Sequence, residues 1–173
     1  KAHPKMISRL DYHPPMTGFT HTVLPLFSRG LLMVTDEATR PKGEDWPKLT
    51  WVVDASEETN PVIIGSLPLP PIEKFAQRTA RFGAHNIHEN YPADTSFRSD
   101  DLIFGAFFSM GVRVYDVSKN PFHPDEVGYY IPPTPPGSRL DAIQMNDVYV
   151  DENRLIYAID RISGGVYILE LTV

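Results

Sequence analysis

The chain has 173 residues, enough for one ordinary domain with a real core. Its 42% hydrophobic and 22% charged content is that of a soluble globular protein. A net charge of −6 with no Lys/Arg cluster argues against a nucleic-acid partner. The absence of cysteine excludes disulfides and thiolate ligands, and no apolar run is long enough to span a bilayer.

Proline is abundant, with 17 residues falling mostly in short clusters such as Pro14-Pro15, Pro70-Pro71, Pro132-Pro133 and Pro135-Pro136. Such spacing punctuates short strands better than helices. The chain starts at Lys1 without a visible signal peptide. A processed start or a piece of a longer polypeptide is therefore expected. The compartment stays open, with a soluble cytoplasmic protein the favoured reading.

In chain order, "HPKMISRLDYHPP" (3–15) reads as a Pro-bounded strand. "THTV" (20–23), "LLMVTD" (31–36), "LTWVVD" (49–54) and "NPVIIGSLPLPP" (60–71) follow as four strands. Residues 71–80, "PIEKFAQRTA", read as either a short helix or a loop. The cycle then repeats as "AHNI" (84–87), "LIFGAF" (102–107), "GVRVYD" (111–116) and "HPDEVGYYIPP" (123–133). A third cycle, "MNDV" (145–148), "LIYAID" (155–160) and "GVYILE" (165–170), lacks a fourth strand. The opening prolines Pro4, Pro61 and Pro124 lie 57 and 63 residues apart (61−4 and 124−61).

Four strand types recurring at this period in an all-β chain predict a β-propeller with one four-stranded blade per repeat. The expected units are a blade end at 1–16, blades at 17–70 and 80–132, and a partial blade at 140–173. A β-sandwich with chance similarity is the alternative. Two blades and two fragments cannot close a ring, which takes roughly four to eight blades. The chain is thus expected to be the C-terminal part of a propeller of about seven blades. An N-terminal half, as a separate chain or cleaved segment, or another copy would complete it.

"GVRVYDVSKNPFHPDEVGYYIPP" (111–133) resembles the LVIVD-repeat proteins, and "LTWVVDASEETNPVIIGSLPLP" (49–70) looks like a second copy of that repeat. The resemblance implies a β-propeller fold. The arrangement is more distantly similar to selenium-binding-protein and methanethiol-oxidase propellers, which implies a metal-dependent oxidase. Thiol chemistry of those families does not carry over to a chain without cysteine.

The first strand of each blade would line the central channel. His21, His85 and Asn146 then share one ring, and Thr22, Asn86 and Asp147 the next. Neutral imidazole suits iron, manganese, copper or zinc. His21 and His85 are the candidate ligands, with His88 joining only if the strand ends or bulges near Ile87. Glu89 or Asp147 would orient a ligand or act as a base. Asn86 and Asn146 would contact substrate, as would Trp46 if its insertion "EATRPKGEDWPK" (37–48) folds over the site rather than packing. A polar channel lining that binds only water competes with the metal reading.

Asp54 and Asp116 read as turn acceptors, and Asp36-Glu37 as a loop contact or a site pair, with a surface place favoured. No phosphate loop or G-x-S-x-G frame appears. Two functions follow: a metal-dependent enzyme using redox or lyase/hydrolase chemistry on a small organic molecule, or a non-catalytic binding scaffold.

Overall fold

A computed structural model describes residues 3–172, so Lys1, Ala2 and Val173, at the ends of the predicted units 1–16 and 140–173, lie outside the described residues. Among the described residues, ten strands form three antiparallel sheets. The first sheet runs β1 (Thr20–Leu26), β2 (Leu31–Asp36), β3 (Thr50–Asp54), β4 (Val62–Ser66) in chain order. The second holds β5 (Leu102–Ala106), β6 (Val112–Asp116) and β7 (Asp125–Tyr130). The third holds β8 (Met145–Val150), β9 (Leu155–Asp160) and β10 (Gly165–Glu170).

Within each sheet every strand neighbours the next one in sequence, because Gly- and Asp-bearing turns bring successive β-rich runs back antiparallel. Asp54 and Asp116 act in these turns as expected. Asp54 accepts from the backbone N–H and hydroxyl of Ser56 at 2.9 and 2.6 Å, and Asp116 accepts from the N–H of Ser118 at 2.7 Å. These bonds hold both carboxyls below the usual range.

Two expectations change. "AHNI" forms no regular strand: it pairs with β5 through one bridge, Ile87 to Gly105, flanked by irregular bonds. "HPKMISRLDYHPP" forms no strand over residues 3–11. The helix option in 71–80 survives as a single turn, α1 (Glu73–Ala76), which buries Phe75. Among the described residues no helix is long and apolar enough to cross a membrane.

The core lies between sheets. Leu24, Met33 and Val52 of the first sheet meet Ile103, Phe107 and Tyr115 of the second. Phe104, Val112 and Val114 of the second meet Val148, Ile156 and Ala158 of the third. The far face of the first sheet, Val34, Trp51 and Val53, is covered by Leu10, Tyr12 and Met16. Central strands β2 and β3 are buried almost throughout, as the two-sided covering requires, whereas β10 is largely exposed.

Candidate metal centre

The same backbone irregularity recurs where each sheet begins. In β1 the register passes from Thr20–Asp36 to Thr22–Thr35, leaving His21 unpaired. In β8 it passes from Met145–Asp160 to Asp147–Ile159, leaving Asn146 unpaired. Ahead of β5, Ala106 faces two residues: its carbonyl accepts from His85 N–H at 3.1 Å and its N–H donates to Asn86 at 2.9 Å. Each is a bulge, two residues against one, which re-aims a side chain out of the pleat. The bulge falls at His85–Asn86, directly beside Ile87, so the backbone meets the condition set for His88.

The re-aimed side chains meet. The rings of His21 and His85 are 4.5 Å apart. His85 Nδ1 lies 2.6 Å from the carbonyl of Asn146, and Asn86 Nδ2 donates to that carbonyl at 3.0 Å. His21 Nδ1 lies 2.8 Å from the hydroxyl of Thr22, which donates to Asn86 Oδ1 at 3.2 Å. A carbonyl can only accept, so His85 carries its proton on Nδ1 when neutral. The Thr22 hydroxyl spends its own proton on Asn86, so it accepts from His21 Nδ1. Both Nε2 atoms therefore present lone pairs.

Those lone pairs face Glu37. Its carboxylate lies 3.6 Å from His85 Nε2 and 4.0 Å from His21 Nε2. One ligand atom from each of His21, Glu37 and His85 falls within 4.8 Å of the other two. Arg81 also reaches Glu37, at 3.3 Å, and its guanidinium lies 5.6 Å over the Phe108 ring. Phe108 in turn stacks on His85 at 4.7 Å. Burial, the largest effect on His85, pushes its pKa below the ordinary value; the Asn146 bond and Glu37 oppose this, and His21 and Arg161 reinforce it. His85 is thus neutral near pH 7, the form that binds a metal.

Two imidazoles and a carboxylate fit a divalent transition metal with coordination positions left open. Asn146 Oδ1, on the third bulge, is a buried acceptor without a partner. Glu37 belongs to the acidic pair read from sequence as surface. Its signal was its place, directly after β2 on the strand beside the His21 bulge. Its neighbour Asp36 is fully buried and accepts from Trp51 Nε1 and the Tyr12 hydroxyl at 2.8 Å each.

The other predicted residues lie differently. His88 is buried with both nitrogens engaged, Nε2 at 2.8 Å from the Phe97 carbonyl and Nδ1 accepting from Val150 N–H at 3.2 Å. It stands outside the cluster, and Glu37 supplies the third ligand atom in its place. Glu89 is exposed, and Asp147 is exposed with Oδ1 accepting from Val148 N–H at 2.9 Å. Trp46 packs on Phe82 at 5.3 Å, against the first core, so the 37–48 insertion packs there rather than presenting its indole. No family model matches the chain, and no curated protein or solved structure is significantly similar to it.

Proposed function

We propose that this chain forms part of a β-propeller and works as a metal-dependent enzyme on a small organic substrate at the channel mouth. The three sheets serve as successive blades. His21, Glu37 and His85 hold one divalent iron, manganese, copper or zinc ion. The observation that carries this reading is the convergence of three ligand atoms within 4.8 Å, two of them on imidazoles anchored through Nδ1. Outer hydrogen bonds of this kind fix tautomer and ring orientation in metal sites.

The residues assign roles. A bound divalent ion would polarise a substrate oxygen or make an attacking hydroxide available near neutral pH, serving redox or lyase/hydrolase chemistry. Phe108 shields one face of His85. The unpartnered Asn146 Oδ1 offers an acceptor to a substrate N–H or O–H. Arg81 neutralises Glu37 and, once that carboxylate turns to a metal, is free to meet an anionic substrate group.

The second reading, a non-catalytic scaffold, draws on the same ion pair. Arg81 already pairs with Glu37 and both imidazoles are anchored through Nδ1, so the cluster holds together without metal. Elemental analysis and calorimetric titration with Fe(II), Mn(II), Cu(II) and Zn(II) separate the two. One equivalent of a transition metal, lost in both His85→Ala and Glu37→Gln, supports the enzyme. A protein that takes up no metal at the wild-type cluster is the scaffold.

A further inference from the structure

Among the described residues the third sheet has no strand on the outer side of β10, where the first two sheets carry β4 and β7, while residues 3–11 carry a strand-like sequence with no strand to pair with. Among the described residues, no backbone hydrogen bond ties 3–11 to another part of the chain; Ser8 Oγ donates to the Glu58 carbonyl at 2.6 Å. Met6 and Ile7 are 76% and 62% exposed, beside a cavity of about 680 Å³ against the first sheet. On β10, Val166 and Ile168 are 67% and 61% exposed, on the same face as Tyr149 and Ile159.

The two complete pairings show how a fourth strand docks here. In one, Asp54, Val53 and Val52 face Val62, Ile63 and Gly65. In the other, Asp116, Tyr115 and Val114 face Asp125, Glu126 and Gly128. Both begin one residue after the opening proline and both skip one residue before a glycine. Transferred to β10, this register sets Lys5 opposite Glu170, Met6 opposite Leu169, and Ser8 opposite Ile168. Ile7 is the skipped residue, and Ser8 is the small one. Lys5 against Glu170 is an opposite-charge cross-strand pair, which neither complete pairing has at that position.

The segment cannot serve its own β10. Leu10, Tyr12 and Met16 pin it to the outer face of the first sheet, and the second sheet separates that face from the third. In the first two sheets the outer strand, β4 or β7, leads on to the next sheet in sequence. Residues 5–10 lead into the first sheet, so they belong to whatever sheet precedes it.

We infer that β10 takes residues 5–10 of a second copy of this chain as its fourth strand. Reciprocal exchange closes two copies of three sheets into one ring, within the roughly four to eight blades a propeller takes. It also covers the apolar face of Val166 and Ile168 with the partner's first sheet, and removes the free edge of β10. The inference rests on the propeller reading but not on the metal.

Light scattering after size exclusion, in EDTA, tests it at tens of micromolar protein. A dimer of twice 19.5 kDa is expected, with backbone amides of 166–170 protected from hydrogen exchange. Lys5→Glu and Glu170→Lys should each raise the dimer dissociation constant about tenfold, since each change disturbs two symmetry-related pairs. The double reversal should return it to within about twofold. A monomer overturns the inference, as does a dimer indifferent to both reversals. A monomer that still binds metal through His21 and His85 overturns the strand exchange alone.

Discussion

His85 and His88 sit three residues apart, both buried, both with pKa values pushed down chiefly by burial, and they do opposite things. His88 spends both nitrogens on backbone, joining the Phe97 carbonyl to the Val150 N–H. It fastens the start of the second sheet to β8 of the third. His85 spends one nitrogen on the Asn146 carbonyl and turns the other to Glu37. The lesson is that burial and lowered pKa do not mark a ligand. The free lone pair does, and it is free because a bulge turns His85 toward a carboxylate.

The comparison breaks most visibly at His88. His88→Ala leaves a buried carbonyl and a buried N–H unpaired and opens a cavity, so unfolding free energy should fall by roughly 2–4 kcal/mol. Urea denaturation measures this, and the folded fraction should still take up metal. His85→Ala should invert the pattern. Metal affinity should drop by more than the ~10–100-fold typical of outer-shell changes, with a smaller stability loss of about 1–2 kcal/mol. Equal stability losses with no change in metal uptake would erase the distinction.

Smaller changes sharpen it. Thr22→Val removes the acceptor for His21 Nδ1 and should weaken metal binding roughly tenfold by freeing the tautomer. Arg81→Gln removes the cation competing for Glu37 and should tighten metal binding several-fold; in a metal-free scaffold it would only destabilise. The weakest handle is pH. Both histidines have folded pKa values below their unfolded value near 6.5, so the unfolded chain binds more protons below that pH. Their stability is fully present above about 6.5 and is lost as pH falls through the folded pKa values. Thermal midpoints should therefore decline on acidification, and the decline should be shallower in His88→Gln.

The strands were largely readable from sequence, because a β-rich run bounded by Gly, Pro and Asp has few other uses. The pairing of His21 with His85 was readable too, since equal places in a repeat come together when the repeats stack side by side. Glu37 was not. It looked like half of an ordinary acidic pair, and only the β1–β2 pairing sets it beside the two imidazoles. Trp46 stayed open in the sequence, since an aromatic in an insertion reads the same whether it covers a site or fills a core.

Local sequence by itself determined the three antiparallel meanders, the turn roles of Asp54 and Asp116, and the polar residues at the head of each sheet. Periodicity and turn chemistry act over a few residues, so they are visible in a string. Tertiary structure alone decided which nitrogen of His21 and of His85 is left free, that Glu37 rather than His88 completes the cluster, and that no described residue of the same chain covers the edge of β10. Those outcomes depend on one extra residue in each bulge and on partners some sixty residues away, and no short stretch of sequence encodes either.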